Sequence, residues 1–185
     1  MAKDRIAEAS ILKIWLWPVV TAGTVIVLDQ ILKAWIWRAM GPVEGASRPL
    51  IGDWFRLTLV KNTGVAFGLF QNIPQFFTFT SVLISLGAIY FYRYHLPNRQ
   101  PLVQVCTGLV IGGAIGNIID RLRLGFVIDF FHITWFPGIF NLADSAITIG
   151  VIMLALYLLV KGEERPRRIP PTDDALLSDL LNHDR

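Results

Sequence analysis

Four apolar stretches constrain this chain before anything else does: Ile14 to Trp37, Ile73 to Tyr92, Leu102 to Ile119 and Leu142 to Val160. Each is long enough to cross a hydrocarbon core of about 30 Å, which takes roughly 20 helical residues. Composition agrees, since 54% of the residues are hydrophobic and 17% charged, with a mean hydropathy of +0.52, too apolar for an ordinary soluble domain. The expectation is an all-α membrane protein of four transmembrane helices with a small β element. The first stretch has the basic lead of a secretory signal in Lys3, Arg5 and Lys13, but no small-x-small site follows a short core. It is expected to stay in place as an anchor.

The basic residues orient the bundle. Lys3, Arg5 and Lys13 precede span one, Arg93 and Arg99 lie between spans two and three, and Lys161, Arg165, Arg167 and Arg168 follow span four. With four spans these segments share one side, which the positive-inside rule makes the cytoplasm. The other side also carries cations, namely Arg38, Arg48, Arg56, Lys61, Arg121 and Arg123. The net charge of +3 follows from this topology and not from nucleic-acid binding, because no basic cluster is interleaved with a soluble aromatic face. Cys106 is the only cysteine and lies inside span three, where it reads as a small packing residue; no disulfide within the chain is possible.

The outward segments carry what is not helix. After the turn-rich "GPVEGASRPLIG", the run Asp53 to Val60 sets Phe55, Leu57 and Leu59 against Arg56 and Thr58, a strand alternation. It leads into "KNTGVAFGLF", where Gly64 and Gly68 permit turns or a close backbone approach. The second outward link is aromatic and β-branched, with Trp135, Phe136 and Pro137 suited to a membrane interface. A small extracytoplasmic sheet lying against the bundle is expected. At the far end Pro166, Pro170 and Pro171 stop span four, and either Thr172 or Asp173 caps a short helix through Leu181 or the tail is disordered.

Charge at membrane depth costs roughly 2.5 to 3.5 kcal/mol per residue on insertion scales, so each such residue is a candidate for function. Asp29 and Lys33 are four apart on one helix face and form a candidate ion pair. Asp120 and Arg121 end span three, one turn after Asn117, and a pair of Asp120 with Arg121 or Arg123 stands level with a catalytic role. Asp144 lies in the first turn of span four, where Asn141 is a plausible N-cap and the carboxylate meets the helix dipole. Asp129 has no evident local partner among Val127, Ile128, Phe130 and Phe131. All of these cluster at the outer ends of their spans, as does Asn62.

Other chemistries fit poorly. His132 has no H-E-x-x-H or cysteine cluster around it, and His95 and His183 fall on the cytoplasmic side. Ser145 sits in no G-x-S-x-G elbow and has only His132 as an outward-facing histidine. A pair of carboxylates in a low-dielectric setting remains, one ionised and one protonated, able to activate water and hydrogen-bond a carbonyl oxygen. Asp129 and Asp144 suit that pairing, with no metal or other cofactor.

The ordered set "DQILK" (Asp29 to Lys33), "KNTGVAFG" (Lys61 to Gly68), "GNIIDR" (Gly116 to Arg121), "VIDFF" (Val127 to Phe131) and "FNLADS" (Phe140 to Ser145) closely resembles the lipoprotein signal peptidases, or signal peptidase II, from about Ile14 to Lys161. The resemblance implies a bacterial inner-membrane aspartyl endopeptidase that removes signal peptides from prolipoproteins, cutting before a diacylglyceryl-modified cysteine. It implies that Asp129 and Asp144 are the catalytic dyad and that Asn62 polarises or positions the scissile peptide. Asp29 with Lys33, and Asn117 with Asp120 and Arg121, would shape and brace the site; Asn141 would orient Asp144, and Gly64 belongs to the Asn62 motif. The implied organisation is a cytoplasmic segment over residues 1–13, a four-span peptidase domain over 14–161 with a periplasmic β-cradle at about 38–70, and a cytoplasmic tail over 162–185. The implied partners are the diacylglyceryl prolipoprotein and membrane lipid, with no nucleic acid and a monomeric state.

A lipid-modified substrate stays dissolved in the bilayer through its acyl chains, each buried CH₂ contributing about 0.8 kcal/mol, which holds its scissile bond near the interface. Phe67, Phe130, Phe131 and Trp135 can shield such a site or simply pack there. A proton-coupled transporter and a noncatalytic binder of lipidated peptides are the rival classes. Against the first, the acids crowd one end and leave the cytoplasmic half without a matching polar path.

Overall fold

The computed structural model describes residues 2–64 and 74–162. Phe67, Gly68 and the proline-rich tail with its expected short helix lie outside the described residues. The element order is α1 (Ala2–Met40), β1 (Ser47–Ile51), β2 (Phe55–Asn62), α2 (Pro74–Tyr94), α3 (Pro101–Leu124), β3 (Val127–Ile133), β4 (Ile139–Phe140) and α4 (Leu142–Gly162). Among the described residues three helical segments are long and apolar enough to cross a membrane: Leu12–Met40, Pro101–Leu124 and Leu142–Lys161. The span expected at 73–92 corresponds to α2, a helix of 21 residues that is not one of these three. Helix α1 begins at Ala2, well before the expected start of span one. The chain divides into two compact units: one through Leu154, holding the first three helices, the sheet and the early turns of α4, and one starting at Ala155. The candidate site lies wholly in the first.

Helix α3 holds that unit together because it presents glycine where neighbours approach. A Cβ on Gly112 would stand 2.8 Å from the Ala22 backbone of α1, and one on Gly108 would stand 2.7 Å from the Pro18 carbonyl oxygen. A Cβ on Gly116 would stand 2.8 Å from Oδ2 of Asp29, while one on Gly113 would run into the Ala143 carbonyl at the start of α4. Glycines at every fourth position thus bring α1 against α3 backbone to backbone, the small-residue packing that replaces hydrophobic drive inside lipid. That approach is what brings the polar groups of α1 within reach of Asn117 and Asp120. At the other end of α1, the buried Tyr92 hydroxyl donates to the Ile14 carbonyl, and Gln104 Nε2 donates to the carbonyls of Lys13 (3.1 Å) and Asn98 (2.8 Å).

Helix α3 ends at Gly125, whose φ of 81° is the left-handed conformation that glycine adopts without a Cβ penalty, with its N–H on the Arg121 carbonyl. The chain therefore turns straight into β3. The sheet is antiparallel in the order β1-β2-β3-β4. Strand β1 falls in the stretch that reads as turns: it contains Pro49, is exposed throughout and lies at the edge, where a missing N–H is tolerated. The simple alternation expected along β2 fails at one place. Leu57 pairs with Phe131 and Val60 with Asp129, so Thr58 and Leu59 together stand opposite Phe130, a bulge. The extra residue turns Leu59 to the face where it packs with Ile36, Ile128 and Phe130. The sheet is thereby fastened to α1, and Phe130 is a core residue and not the shield over a site considered from sequence.

Candidate active site

Asp129 is buried in β3, 2% exposed, yet both its oxygens are hydrogen-bonded. Asn62 Nδ2, from the end of β2, donates to Oδ2 at 2.8 Å, and Asn141 Nδ2 donates to Oδ1 at 2.6 Å. Asn62 holds its direction because its Oδ1 accepts the Gly64 N–H at 3.0 Å. One side chain thus both closes a turn at Gly64 and reaches the buried carboxylate of Asp129.

Asp144 reaches the same place from α4. Asn141 and Asp144 exchange bonds as a capping box: Asn141 Oδ1 accepts the Asp144 N–H at 3.0 Å, and Asp144 Oδ2 accepts the Asn141 N–H at 3.1 Å. Asp144 Oδ1 accepts from Asn117 Nδ2 at 2.8 Å. Asn141 Nδ2 also donates to Asn117 Oδ1 at 3.1 Å, so one asparagine side chain connects the two carboxylates' hydrogen-bond shells. No salt bridge joins either carboxylate to a cation among the described residues. Burial first, and then the charge of Asp144, push the Asp129 carboxyl from an ordinary 3.8 up to about 7, while the Asn62 and Asn141 donors and the Lys33 charge pull the other way.

Behind the pair is a buried ion cluster. Lys33 Nζ has three hydrogens and three acceptors: Asp29 Oδ2 at 2.8 Å, Asp120 Oδ2 at 2.9 Å and Asn117 Oδ1 at 3.0 Å. Since an ammonium only donates, Lys33 fixes which way Asn117 faces and so aims its amide at Asp144. Asp29 Oδ1 accepts the Ala143 N–H at 3.0 Å, satisfying one of the free donors at the start of α4. Asp120 Oδ2 also accepts the N–H of Ile128, the neighbour of Asp129, at 3.1 Å.

Asp120 thus pairs with Lys33, not with Arg121 or Arg123 as its immediate sequence neighbourhood suggests; the glycine face of α3 brings α1 closer than either arginine can fold back. Arg121 is half-buried, makes no ion pair among the described residues, and its Nε is buried without a hydrogen-bond partner among them. Ser145 Oγ donates to the Asn141 carbonyl at 3.0 Å, and His132 Nδ1 is engaged with Thr58 Oγ1 at 3.0 Å, so no serine–histidine pair forms. Of the interface aromatics, Phe131 stacks on Phe55 and meets Phe140 at a tilt of 55°, and Trp135 is exposed. One residue escaped sequence reasoning: Gln30, whose amide lies on Asp120 at 2.9 Å. A neutral side chain beside Asp29 gives no charge signal, and only its polarity in an apolar run marks it out.

Residues 21–160 match the family model described as signal peptidase (SPase) II. The chain is 45% identical over 143 residues to a lipoprotein signal peptidase of Moorella thermoacetica, covering 77% of this chain and 93% of that one. It is 40% identical over 151 residues to a lipoprotein signal peptidase of Caulobacter vibrioides, covering 78% and 87% respectively. A bacterial membrane enzyme solved by the in meso method at 2.3 Å superposes with a TM-score of 0.72 at 29% identity, over 82% of this chain and 93% of that chain. A second, solved by the same method at 1.9 Å, gives a TM-score of 0.67 at 33% identity over 77% and 92%.

Proposed function

This chain belongs to the signal peptidase II family, and on that premise we propose that its two linked carboxylates cleave prolipoproteins within the membrane. It is an integral membrane protein and a peptidase that removes signal peptides from prolipoproteins. The bond cut is the one before the diacylglyceryl-modified cysteine. Four spans, α1 to α4, cross the bacterial inner membrane with both termini in the cytoplasm; the basic residues of the α2–α3 link and the end of α4 support that orientation. The sheet and the outer helix ends then lie at the periplasmic face, where a substrate held by its acyl chains presents its peptide.

The observation that carries the mechanism is the pairing of Asp129 and Asp144 through Asn141 and Asn117, buried and without a salt-bridged cation among the described residues. Asp129, the more enclosed of the two, holds the proton and donates it to the scissile carbonyl oxygen. Asp144, at the start of α4 where the helix dipole favours negative charge, is ionised and takes a proton from water. Water oxygen bonds to the carbonyl carbon; on collapse the C–N bond breaks, the cysteine nitrogen leaves with the proton held on Asp144, and a hydroxyl of the diol returns its proton to Asp129 as the C=O re-forms. Asn62 keeps Asp129 in register with β2 and offers its amide edge to the peptide. Asn117, Asn141, Asp29, Lys33, Asp120 and Arg121 hold the pair in place.

The test is purified protein supplied with a prolipoprotein carrying the diacylglyceryl group and with the same chain lacking it. Mass spectrometry should find a single cut before the cysteine in the lipidated substrate, and sealed vesicles should carry no proton flux. Binding without cleavage, or flux without cleavage, would favour the binder or the transporter.

A further inference from the structure

We infer that Gln30 is a positioning residue for Asp129, acting through Asp120, and that Arg123 sets the direction in which it donates; the inference rests on the dyad proposed above. Asp120 Oδ2 is occupied by Lys33 and by the Ile128 N–H, at 2.9 and 3.1 Å. Its Oδ1 receives Gln30 Nε2 at 2.9 Å. The same nitrogen lies 3.3 Å from Asp29 Oδ2 and 3.3 Å from the Gly116 carbonyl, so every atom it faces inward is an acceptor. On the outer side Arg123 Nη1 donates to Gln30 Oε1 at 3.3 Å.

Guanidinium nitrogen can only donate, so Oε1 must face outward and the amino group inward. A chain of bonds follows: Arg123 donates to Gln30, Gln30 donates to Asp120, and Asp120 in turn accepts the N–H of Ile128, one residue before Asp129. Without the Gln30 donor Oδ1 of Asp120 loses its partner, only Lys33 and the Ile128 N–H on Oδ2 still hold the carboxylate, and the acceptor that sets the distance of β3 from α3 is less firmly fixed. Neither leucine nor glutamate replaces the amide. Leucine fills the space and donates nothing. Glutamate keeps the acceptor for Arg123 but faces Asp29 and Lys33 on α1 and Asp120 on α3, with Asp129 beyond on β3, and it donates to Asp120 only when protonated.

The experiment measures kcat and KM against pH for the native protein, Gln30→Leu and Gln30→Glu, together with hydrogen exchange of the Ile128 amide. Gln30→Leu should lower kcat about tenfold at every pH with KM within about twofold, the signature of a misplaced group in an otherwise intact site. Gln30→Glu should lose more above neutrality, and its rate relative to native should climb as the pH falls, whereas the leucine ratio stays level. Ile128 exchange should quicken in both at neutral pH. Native kcat in Gln30→Leu, or a glutamate ratio that follows the leucine one at every pH, overturns the proposal. If Gln30→Leu does not fold, Arg123→Ala at its exposed position decides: native kcat with native Ile128 exchange overturns it, and a lowered kcat with faster exchange supports it. Failure of the native protein to cleave would strike the peptidase reading instead, and Ile128 exchange would still judge the Gln30 linkage.

Discussion

Replacing Asp129 with Asn, or Asp144 with Asn, is expected to lower cleavage by about a thousandfold or more, since each change removes a proton-exchanging group and keeps its shape. In the proposed mechanism the two carboxylates act as a unit, so the double variant should be little worse than either single one. A folding cost accompanies the first change. Both Asp129 oxygens accept amide hydrogens, from Asn62 and Asn141, and an asparagine there must turn its amino group toward one of those donors. A buried donor left facing a donor costs about 1–3 kcal/mol, so the unfolding midpoint should drop while the variant remains inserted. Turnover by purified variants, normalised to folded protein, is the measurement, and near-native turnover in either would refute the dyad.

Lys33→Met should be the most damaging substitution to stability. Lys33 is 2% exposed and is the cation that Asp29 and Asp120 share. Removing one partner of a buried ion cluster typically costs about 3–5 kcal/mol, because the remaining charge keeps its desolvation penalty and loses its compensation. Combining Lys33→Met with Asp29→Asn and Asp120→Asn removes the stranded charge and should recover part of the stability. Cleavage should recover less than stability, because Asn117 Oδ1 has then lost its ammonium donor and only the Asn141 amide still sets which way Asn117 presents its amide to Asp144. Thermal unfolding in detergent together with the cleavage rate distinguishes the two effects. A Lys33→Met protein as stable as the native one would show that the cluster is not the brace described.

Much of the site was legible because charge in an apolar run is costly and therefore informative. Asp129 stood out by having no local partner, and the spacing of Asn141 and Asp144 is that of a helix start. The pair Asp29–Lys33 followed from helical geometry. What could not be read was anything set by approach between elements. Asp120 lies beside two arginines in sequence and bonds a lysine on another helix, a choice made by Gly108, Gly112 and Gly116 letting α1 come close. The bulge at Thr58 and Leu59 leaves no mark in composition, yet it decides that Leu59 anchors the sheet and that Val60 aligns with Asp129. Strand β1 was hidden by Pro49 and by full exposure, which erases alternation; β4 is two residues long, too short for any period.

The central claim is that Asp129 works as the protonated member of a carboxylate pair, and the rate of cleavage against pH in the native protein and in Asn62→Ala tests it most directly. With its carboxyl pushed up to about 7 by burial and by Asp144, Asp129 keeps its proton below that pH and loses it above. Activity should therefore fall as pH rises through neutrality, by about tenfold per unit once the proton is gone. Asn62 donates to the ionised form of Asp129 and so holds its pKa down; without that donor the falling limb should move to higher pH although the rate itself is lower. A preserved profile in Asn62→Ala, together with native activity that is level across neutrality, would contradict the account.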